Sequence, residues 1–459
     1  MRLFLINVDF ISASLRCFTV MIDILLISPP YKGLVREPIG LYYLAGELNR
    51  NGISVNILDL NVTNMNKMAF HEYLKKINPK IVGLTSFTFN YSMANQILIE
   101  VKKSNQNIKT VLGGVHASAY YKEIISKNKL IDYIIVGEGE LSFLDLCRNI
   151  IQNSSPQSVK GIVYWENEVR RNLSGNLITD LKDLPIPNRD LLNHTVYPVG
   201  LVQTSRGCPY TCIFCNICIA SDHKIRFRPV ESVAVECEKL VKQYKKEMIF
   251  FFGDNFTYDS DWLNDFCQEI KRRDLNFKWA CETRVDKIDQ TMLKMMRNTG
   301  CVQVQFGIEY GDEKILKSIG KYMSLENASE NIAKAKREGL FVESFFIFNC
   351  PGENEETMES TFNFIQKTPI DALEINLLTP YPGTMLWNNP ERYGMKIIDY
   401  NFDNYTTKKY VMENRFFPKR KFVGAFRKIL KRLNLVPISG YTPEIFDFLE
   451  SEKRQSVFQ

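Results

Sequence analysis

Three cysteines close together in the chain have the spacing of a metal-binding loop. They are Cys208, Cys212 and Cys215, in the order C-x3-C-x2-C. Three thiolates in one short loop can converge on one face of a cubane iron–sulfur cluster and leave a fourth iron open to another molecule. A zinc ion would need a fourth protein ligand, which Cys218 could supply, so zinc stays an alternative at this point. We expect instead that Cys218 packs inside the helix that follows.

The remaining cysteines and the composition indicate a reducing compartment. Eleven cysteines in 459 residues are too few for a disulfide scaffold, and an odd number cannot pair completely. We therefore predict a cytoplasmic protein in which a few thiols serve a metal or redox role. Five of the cysteines outside the loop fall in helical or strand segments and are predicted to be core residues: Cys147, Cys237, Cys267, Cys281 and Cys301.

Charge and hydropathy exclude several classes of function. Lysine and arginine exceed aspartate and glutamate by 58 − 52 = 6, which is a small excess for this length and predicts no nucleic-acid partner. No uncharged apolar run reaches the roughly 18–20 residues of a spanning helix, so we expect no transmembrane segment. Residues 1–20 are apolar, but Asp9 and Arg16 interrupt them. We interpret this stretch as an extension from an upstream start site.

The elements that must position the cysteines form two series of alternating strands and helices. In the first series, residues 21–155, five short β-branched runs alternate with amphipathic stretches, which predicts a doubly wound, Rossmann-like parallel sheet. Ligands of such sheets lie beyond the carboxyl ends of the strands. Small or polar residues follow four of these strands and predict a binding rim: Ser28–Tyr31, Thr85–Thr88, Gly113–His116 and Gly137–Glu140.

The second series predicts a different domain. Residues 156–197 contain two strand-like pieces and then a proline-interrupted stretch, which is typical of a linker. Six strand–helix repeats over residues 198–400 predict a partial (β/α)6 barrel, whose chemistry would take place at the carboxyl-terminal mouth. Residues 401–459 are less regular and are expected to form a small α-rich cap that includes a basic amphipathic helix.

The cysteine loop resembles that of the radical S-adenosylmethionine (SAM) enzymes. The resemblance rests on C-x3-C-x2-C directly after the first barrel strand, with the aromatic Phe214 before the last cysteine. It implies that Cys208, Cys212 and Cys215 bind a 4Fe-4S cluster and that SAM chelates the open iron through its amino and carboxylate groups. An electron from the reduced cluster would then cleave SAM to a 5′-deoxyadenosyl radical.

Later segments strengthen the resemblance. Gly253-Asp254-Asn255 ends the second barrel strand, where the family holds the methionine ammonium, and Gly307–Gly311 resembles the family's Gly-Ile-Glu-Ser-Gly, with Tyr310 in place of serine. Asn349 and Cys350 depart from the family's Gly-Leu-Pro-Gly-Glu, and we expect a structural role for Cys350. The implied SAM-binding residues are Phe214, Gly253, Asp254, Asn255, Arg284 and Glu309.

The N-terminal rim resembles the cobalamin-binding domain fused to one large subgroup of radical SAM enzymes. The Asp-x-His-x-x-Gly motif that supplies a lower cobalt ligand elsewhere is absent, so the resemblance implies cobalamin without a histidine ligand. His116 remains either a contact to the corrin or its tail, or a helix-capping residue. The implied cobalamin-binding residues are Ser28, Pro29, Thr85, Ser86, Gly113, Gly114, His116, Gly137 and Glu138.

Together these resemblances imply a cobalamin-dependent radical SAM enzyme that methylates an unactivated carbon through methylcobalamin. The alternatives are a radical SAM enzyme that forms or rearranges rings without methyl transfer, and a non-catalytic sensor of cobalamin or of the cluster. The expected partners are a small-molecule or lipid-precursor substrate and an electron donor such as flavodoxin or ferredoxin. No motif identifies the substrate.

Overall fold

The computed structural model describes residues 22–31, 35–172, 177–217, 221–253 and 255–433. The predicted extension (1–20), Cys218, Asp254 and the last part of the predicted cap lie outside these residues. Within the described helices, none is long and apolar enough to cross a membrane.

The first part of the chain forms a seven-stranded sheet in the order β2-β1-β3-β4-β5-β6-β7. Strands β1 to β5 are parallel, and β6 and β7 add an antiparallel hairpin at one edge. The elements are β1 (Ile24–Ser28), α1 (Ile39–Arg50), β2 (Val55–Asp59), α2 (Lys67–Ile77), β3 (Ile81–Thr85), α3 (Tyr91–Ser104), β4 (Lys109–Gly113), α4 (Val115–Lys127), β5 (Tyr133–Ile135), α5 (Glu140–Ile151), β6 (Ile162–Glu166) and β7 (Glu168–Arg171).

Helices cover both faces of this sheet. Apolar residues of α1 and α5 pack on one face, and those of α2, α3 and α4 pack on the other. Strand β1 is accordingly buried over its whole length, as expected for a strand enclosed on both sides. The predicted doubly wound sheet is confirmed, and the two strand-like pieces predicted after it prove to be its β6–β7 edge.

The second part forms a six-stranded parallel sheet in the order β15-β14-β13-β12-β11-β8. Its neighbours follow the chain order, as a partial barrel requires, and the order ends at β8 and β15. The elements are β8 (Gly200–Gln203), β9 (Ser205–Arg206), β10 (Arg226–Phe227), α6 (Val230–Lys242), β11 (Met248–Phe252), α7 (Ser260–Arg272), β12 (Lys278–Thr283), α8 (Gln290–Arg297), β13 (Cys301–Glu309), α9 (Glu313–Ser318), α10 (Leu325–Arg337), β14 (Phe341–Phe348), α11 (Glu355–Lys367), β15 (Ala372–Leu377), α12 (Met385–Asn388), β16 (Met395–Ile397), β17 (Met412–Asn414) and α13 (Lys419–Arg432).

The two faces of this second sheet differ in polarity. Phe251, Cys281 and Val304 are paired in register and completely buried in the core that the helices share. The next residues along two of the strands, Glu282 and Gln305, pair with each other, point to the opposite face and are only half-buried. Strand alternation therefore gives the sheet an apolar face toward the helices and a more polar concave face.

Arg189, in the connection between the two sheets, holds the two halves together. It pairs with Glu37, which precedes α1, and with Glu236 of α6, at 3.4 Å and 2.8 Å respectively. All three side chains are almost completely buried. Removing one partner from such a group leaves a buried charge uncompensated, so this contact fixes how the sheets are joined.

The final described elements pack against the second sheet. The antiparallel pair β16–β17 precedes α13, which turns Phe422 and Phe426 into the core. The ring of Phe426 lies 4.9 Å from that of Phe348 at the end of β14. The basic residues Arg420 and Lys421 remain exposed, so this helix has the solvated basic face and inward apolar side that the sequence predicts.

Candidate active site

The cysteine loop begins in a tight corner between β9 and β10. These strands pair antiparallel, with Arg206 opposite Arg226, and Gly207 follows at φ +90°. A Cβ at Gly207 would lie 2.0 Å from the carbonyl oxygen of Lys224. Only glycine fits a left-handed position with so little room, so Gly207 determines the direction in which the loop leaves the strand.

Backbone hydrogen bonds hold the middle of the loop. The N–H of Ile213 donates to the carbonyl of Ile319 at 3.0 Å, and the N–H of Leu386 donates to the carbonyl of Ile213 at 3.0 Å. The N–H of Cys215 donates to the carbonyl of Cys212 at 3.1 Å, which folds the second and third cysteines into one turn. The loop is therefore fixed by the second sheet's own connections.

The three loop cysteines differ from the other described cysteines in their solvent exposure. Cys208, Cys212 and Cys215 are half-buried and are not in disulfides, whereas the rest are buried. Burial raises the pKa of Cys212 to about 11, the nearby Lys321 ammonium opposes this shift, and the Glu309 carboxylate adds to it. Thiols that are reachable yet partly shielded suit a metal centre better than a packing role. The buried cysteines are Cys147, Cys237, Cys267, Cys281, Cys301 and Cys350.

The described residues do not form a site for a single metal ion. No group of three or more His, Cys, Asp or Glu side chains in the described ranges is arranged to hold one ion. A cubane differs because each of its cysteines binds a different iron, so its thiols stand farther apart than the ligands of one zinc ion. Cys218, the alternative zinc ligand, lies outside the described residues.

The segment after β11 lies directly against the cysteine loop. Asn255 is buried, and its Nδ2 donates to Sγ of Cys208 at 3.5 Å. Its Oδ1 is buried and has no hydrogen-bond partner among the described residues. A Cβ at Gly253 would lie 2.9 Å from Oγ1 of Thr204 and 2.8 Å from Oγ of Ser205, two hydroxyls that are also unpartnered there. Unpaired buried oxygens beside a metal loop fit a ligand that brings its own donors, as an amino group does.

Two other predicted SAM-binding residues form ion pairs within the chain. Arg284 binds Asp286 through two hydrogen bonds of 2.8 Å and 2.9 Å, and its guanidinium lies 4.0 Å above the ring of Tyr210. Glu309, at φ +71°, accepts from Nζ of Lys321 at 2.7 Å. These contacts hold both side chains near the loop. Each of the two side chains therefore has a charged partner within the chain before a ligand binds.

A cavity of about 290 Å³ opens between the cysteine loop and the concave face of the second sheet. Two of the predicted residues, Phe214 and Glu309, line it beside Cys215. Its other walls come from β14, β15 and the segments after β15 and β16, and they are mostly apolar. The cavity thus joins a candidate cluster ligand to a pocket with a few polar groups, which is typical of small-molecule sites. The remaining lining residues are Asn216, Phe345, Ile347, Asn376, Leu377, Leu378, Thr379, Tyr381 and Thr407.

The predicted rim of the first sheet is formed by the strand ends as expected. Nδ2 of Asn61 donates to Oγ of Ser28 at 3.2 Å and to the carbonyl of Pro29 at 3.3 Å, while its Oδ1 accepts from the N–H of Tyr31 at 2.8 Å. Asn61 was not among the predicted residues, although its position just after β2 was the available signal. A cleft of about 690 Å³ borders the rim at Pro30 and Asn61, and no residue of the second sheet lines it.

The two adjacent glycines of the rim have different surroundings. Gly114, at φ +94°, is in close contact with β3, because a Cβ would lie 2.6 Å from the carbonyl oxygen of Ser86 and 2.8 Å from Oγ1 of Thr85. Gly113 has open space, with its nearest neighbour at 3.9 Å, and Gly137 has no neighbour within 4 Å. Gly113 therefore leaves space beside its backbone, and the contacts of both glycines with cobalamin stay predictions. Gly114 gives room to the β3 connection.

His116 is an inner residue of the first turn of α4 and not its cap, since Gly114 is the N-cap. The ring is almost completely buried, lies 4.8 Å from the rings of Tyr91 and Phe402, and shares a 3.2 Å hydrogen bond through Nδ1 with Oγ1 of Thr88. Burial lowers the pKa of His116 to about 4. The structure therefore encloses this ring between the first sheet and the chain after β16.

Glu138, a predicted cobalamin contact, connects the two sheets. Arg226 donates to both of its carboxylate oxygens, at 2.8 Å and 3.1 Å. Arg206 lies 3.5 Å from the same carboxylate and 2.6 Å from that of Glu140. The rim after β5 thus contacts the start of the cysteine loop. The spacing of the sequence gave no signal for Arg206 and Arg226, because their partners lie 66 and 88 residues away.

Comparisons with known proteins agree with this division of the chain. A family model described as the Radical SAM superfamily matches residues 202–365, and one described as the B12 binding domain matches residues 33–146. The first match begins in β8 and includes the cysteine loop. The second includes four of the five parallel strands of the first sheet.

Three relatives and neighbours extend the likeness over most of the chain. The chain is 31% identical over 421 residues to the uncharacterized methyltransferase PH0819 of Pyrococcus horikoshii, and this alignment covers 89% of this chain and 91% of that protein. It is 29% identical over 384 residues to the anaerobic magnesium-protoporphyrin IX monomethyl ester cyclase of Rubrivivax gelatinosus, covering 80% and 68%. The methyltransferase TsrM from Kitasatospora setae, solved with cobalamin and a 4Fe-4S cluster bound, shares the fold with a TM-score of 0.71 at 20% identity, covering 82% and 80%. The chain belongs to the cobalamin-dependent radical S-adenosylmethionine enzymes, the family that joins a B12-binding domain to a radical SAM domain.

Proposed function

We propose that this enzyme methylates an unactivated carbon of a small molecule or lipid precursor. The observation that carries the proposal is the contact between Arg206, at the start of the cysteine loop, and Glu138 and Glu140, in the rim after β5. It joins the two strand-end surfaces that we propose as the cobalamin site and the cluster site. Several relatives are named as methyltransferases, among them PH0819 and a hopanoid C-3 methylase of Methylococcus capsulatus.

Each group of residues has a separate part in the proposal. When bound, the cluster with SAM supplies a radical that removes hydrogen from the substrate, and cobalamin supplies the methyl group. Cys208, Cys212 and Cys215 hold the cluster, and Asn255 orients SAM through its unpaired Oδ1 while its Nδ2 supports the thiolate of Cys208. Holding both reagents in fixed positions removes the entropic cost of bringing them together. The proposed SAM contacts also include Phe214, Gly253, Asp254, Arg284 and Glu309.

The rim of the first sheet holds cobalamin in this proposal. Gly113 and Gly137 have free space above them, so their backbone can approach a planar ligand closely. The other proposed contacts are Ser28, Pro29, Thr85 and Ser86, with Gly114 and Glu138 shaping the rim. His116 is enclosed by aromatic rings, which supports cobalamin binding without a histidine ligand.

Product analysis tests methylation. Enzyme loaded with cluster and cobalamin is supplied with reductant, candidate substrates and SAM that carries a deuterated methyl group. Methylation predicts S-adenosylhomocysteine and 5′-deoxyadenosine together, and a product that carries the label. Formation of 5′-deoxyadenosine with a modified but unlabelled product would contradict methylation and leave the radical step intact.

Ring formation is the second candidate, and a specific observation favours it. Two anaerobic magnesium-protoporphyrin IX monomethyl ester cyclases are 29% and 26% identical to this chain over about 80% of its length. A cyclase would release 5′-deoxyadenosine with little S-adenosylhomocysteine, so the same experiment separates the two reactions. The names of these methyltransferases and cyclases all describe enzymes, which favours turnover over a sensor role.

The proposal includes an electron donor and a location. Reduction of the cluster needs a low-potential carrier, and we propose a flavodoxin or a ferredoxin. We place the enzyme in the cytoplasm because half-exposed thiols such as Cys208 would oxidise elsewhere. Purification of the native cluster from the cytosolic fraction, with the iron intact, is the measurement that checks this location.

A further inference from the structure

The concave face of the second sheet carries a group of hydrogen-bond acceptors. Glu282 on β12 is in register with Gln305 on β13, and Gln305 is in register with Glu343 on β14. Gln303 lies one step earlier on the same face of β13, because alternate residues of a strand share a face. We call Glu282, Gln303 and Gln305 the acceptor patch.

Glu343 orients both glutamines of the acceptor patch. Its Oε2 accepts from Nε2 of Gln305 at 2.7 Å and from Nε2 of Gln303 at 2.8 Å, and Glu343 is only 7% exposed. An ionised carboxylate has no hydrogen to donate, so each amide must turn its nitrogen toward Glu343. Among the described residues, no group donates to Oε1 of either glutamine, and both residues are half-buried on the concave side.

Glu282 has no partner among the described residues. Its carboxylate forms neither a hydrogen bond nor an ion pair with them, although the residue is half-buried. Burial raises the pKa of Glu282, the guanidinium of Arg36 opposes this shift, and the carboxylate of Glu343 adds to it. The amide nitrogen of the neighbouring Gln305 is already bound to Glu343. An unpaired carboxylate on such a face costs free energy, which the donors of a ligand would offset.

The segment before α1 places Arg36 near the acceptor patch. Glu37, the next residue, accepts from the N–H of Leu201 at 2.8 Å, and Leu201 belongs to β8, the end strand of the second sheet. Arg36 is exposed and forms no ion pair within the described ranges. The same connection between β1 and α1 begins with Ser28–Tyr31 of the predicted cobalamin rim. The acceptor patch therefore lies on the side of the second sheet that faces this connection.

The acceptor patch also lies near the cavity beside Cys215. Phe345 lines that cavity and is two residues beyond Glu343 on the same face of β14, a distance of about 7 Å along the strand. On β11, Phe250 and Phe252 are half-buried and add apolar surface to the concave face. A molecule whose polar end binds the patch would extend along apolar side chains toward the cysteine loop.

We propose that the acceptor patch binds the polar end of the substrate and that this end carries hydrogen-bond donors, as a hydroxyl or an amino group does. This inference rests on the proposed function, because it names the substrate class for the same active site. A carboxylate or a phosphate at this end is disfavoured, because Glu282 and Glu343 would repel it and the patch offers it no donor. The remainder of the substrate is largely apolar, since Phe250, Phe252 and Phe345 form the surface that it contacts.

Four small molecules with one shared apolar body test the proposal. They are 2-phenylethylamine, 2-phenylethanol, ethylbenzene and 3-phenylpropionate, which end in an ammonium, a hydroxyl, a methyl and a carboxylate group. Enzyme with a reduced cluster is titrated with each compound in the absence of SAM. Broadening of the compound's proton resonances by the paramagnetic cluster gives the dissociation constant and shows that the compound lies near the cluster.

We expect the amine, the alcohol or both to bind about tenfold or more tightly than ethylbenzene and 3-phenylpropionate. Binding of the amine alone identifies an ammonium as the preferred donor, and binding of the alcohol alone identifies a hydroxyl. Binding of ethylbenzene or 3-phenylpropionate as tight as that of both donors, or no broadening of any of the four, would overturn the proposal.

Variants of Glu282 separate ligand binding from folding. Glu282→Leu removes the acceptor and should weaken the preferred donor by about tenfold. Glu282→Gln keeps an acceptor without the charge, so it should weaken the amine more than the alcohol. Both variants should keep their iron and unfold at the same temperature as the parent or a higher one, because an unpaired carboxylate is removed. Glu330→Gln, at an exposed position of α10, is the control and should change nothing.

The outcome for this site is independent of turnover. Unchanged binding of the preferred donor by both Glu282 variants, or an equal loss in Glu330→Gln, would overturn the proposal. The titrations need no SAM, so a failure of methyl transfer would concern the proposed function alone.

Discussion

Nη2 of Arg206 lies 2.6 Å from Oε1 of Glu140, across 66 residues of sequence. Arg206 immediately precedes the tight glycine before Cys208, and Glu140 begins the helix after β5. Both side chains are mostly buried, at 12% and 7% exposure. Burial alone would lower the pKa of Arg206, but the carboxylates of Glu140 and Glu138 raise it above its usual value. One ion pair therefore joins the candidate cluster loop to the candidate cobalamin rim.

Replacing Arg206 with methionine should disrupt the contact between the cysteine loop and the rim of the first sheet. The change leaves Glu140 buried without its partner, which typically costs about 3–5 kcal/mol. We expect S-adenosylhomocysteine formation to fall by about tenfold or more, since about 1.4 kcal/mol of lost positioning suffices for that factor. The cluster content should stay intact. Arg170→Met, which removes an exposed ion pair with Glu168, is the matched control and should change neither quantity.

The rim glycines allow ligand contact to be distinguished from folding. Gly113→Ala adds a methyl group where the protein has room, so the stability should not change, whereas cobalamin affinity should fall if the ligand lies there. Gly114→Val collides with Ser86 in the protein itself and should reduce both stability and cobalamin binding. Thermal unfolding and cobalamin titration measure the two effects. An unchanged affinity of Gly113→Ala for cobalamin would show that cobalamin does not lie over this part of the rim.

The loop cysteines should be individually required for the cluster. Changing Cys208, Cys212 or Cys215 to alanine should remove most of the iron and the broad visible absorbance of the reconstituted protein. Cys147→Ala, in the buried core of the first sheet, should retain both. A complete cluster in one of the three loop variants would show that another thiol replaces it, and would direct attention to Cys218.

His116 should make stability fall in mild acid. Burial lowers its pKa to about 4, below the usual value of 6.5, so only the unfolded chain takes up a proton between these values. The contribution of His116 to the free energy of unfolding is complete above pH 6.5 and decreases as the pH falls toward 4. By linkage, the loss of this free energy at pH 5 is about 2 kcal/mol. His116→Leu should therefore show a smaller drop than the parent enzyme in urea unfolding between pH 7 and pH 5. The same variant should leave the spectrum of bound cobalamin unchanged, and equal drops in the two proteins would contradict the assigned burial.

The sequence predicted the local elements more completely than the contacts between them. Buried β-branched runs and amphipathic helices revealed both sheets because these patterns depend on neighbouring residues alone. Helix α4 begins at Val115, inside the segment Gly113–His116 that the sequence predicted as part of the rim, because Gly114 supplies the turn that starts the helix. The linker was predicted as irregular from its prolines, but nothing local indicated that Arg189 would be buried between Glu37 and Glu236.

In the candidate site, too, the sequence predicted the local features more completely than the contacts between elements. The cysteine spacing and the strand-end glycines are local signals and led directly to the loop and the rim. The ion pairs of Arg206, Arg226 and Lys321 depend on which strand ends meet, and spacing contains no information about that. The domain boundaries at 155, 197 and 400 and the individual cofactor contacts stay predictions.

Formation of 5′-deoxyadenosine tests the central claim most directly. Purified enzyme with a reconstituted cluster is incubated with SAM and a strong reductant in the absence of oxygen, beside the Cys212→Ala variant. The account predicts that the enzyme releases 5′-deoxyadenosine and that the variant releases none above background. No release from an enzyme that holds a full complement of iron, or equal release from the variant, would contradict it.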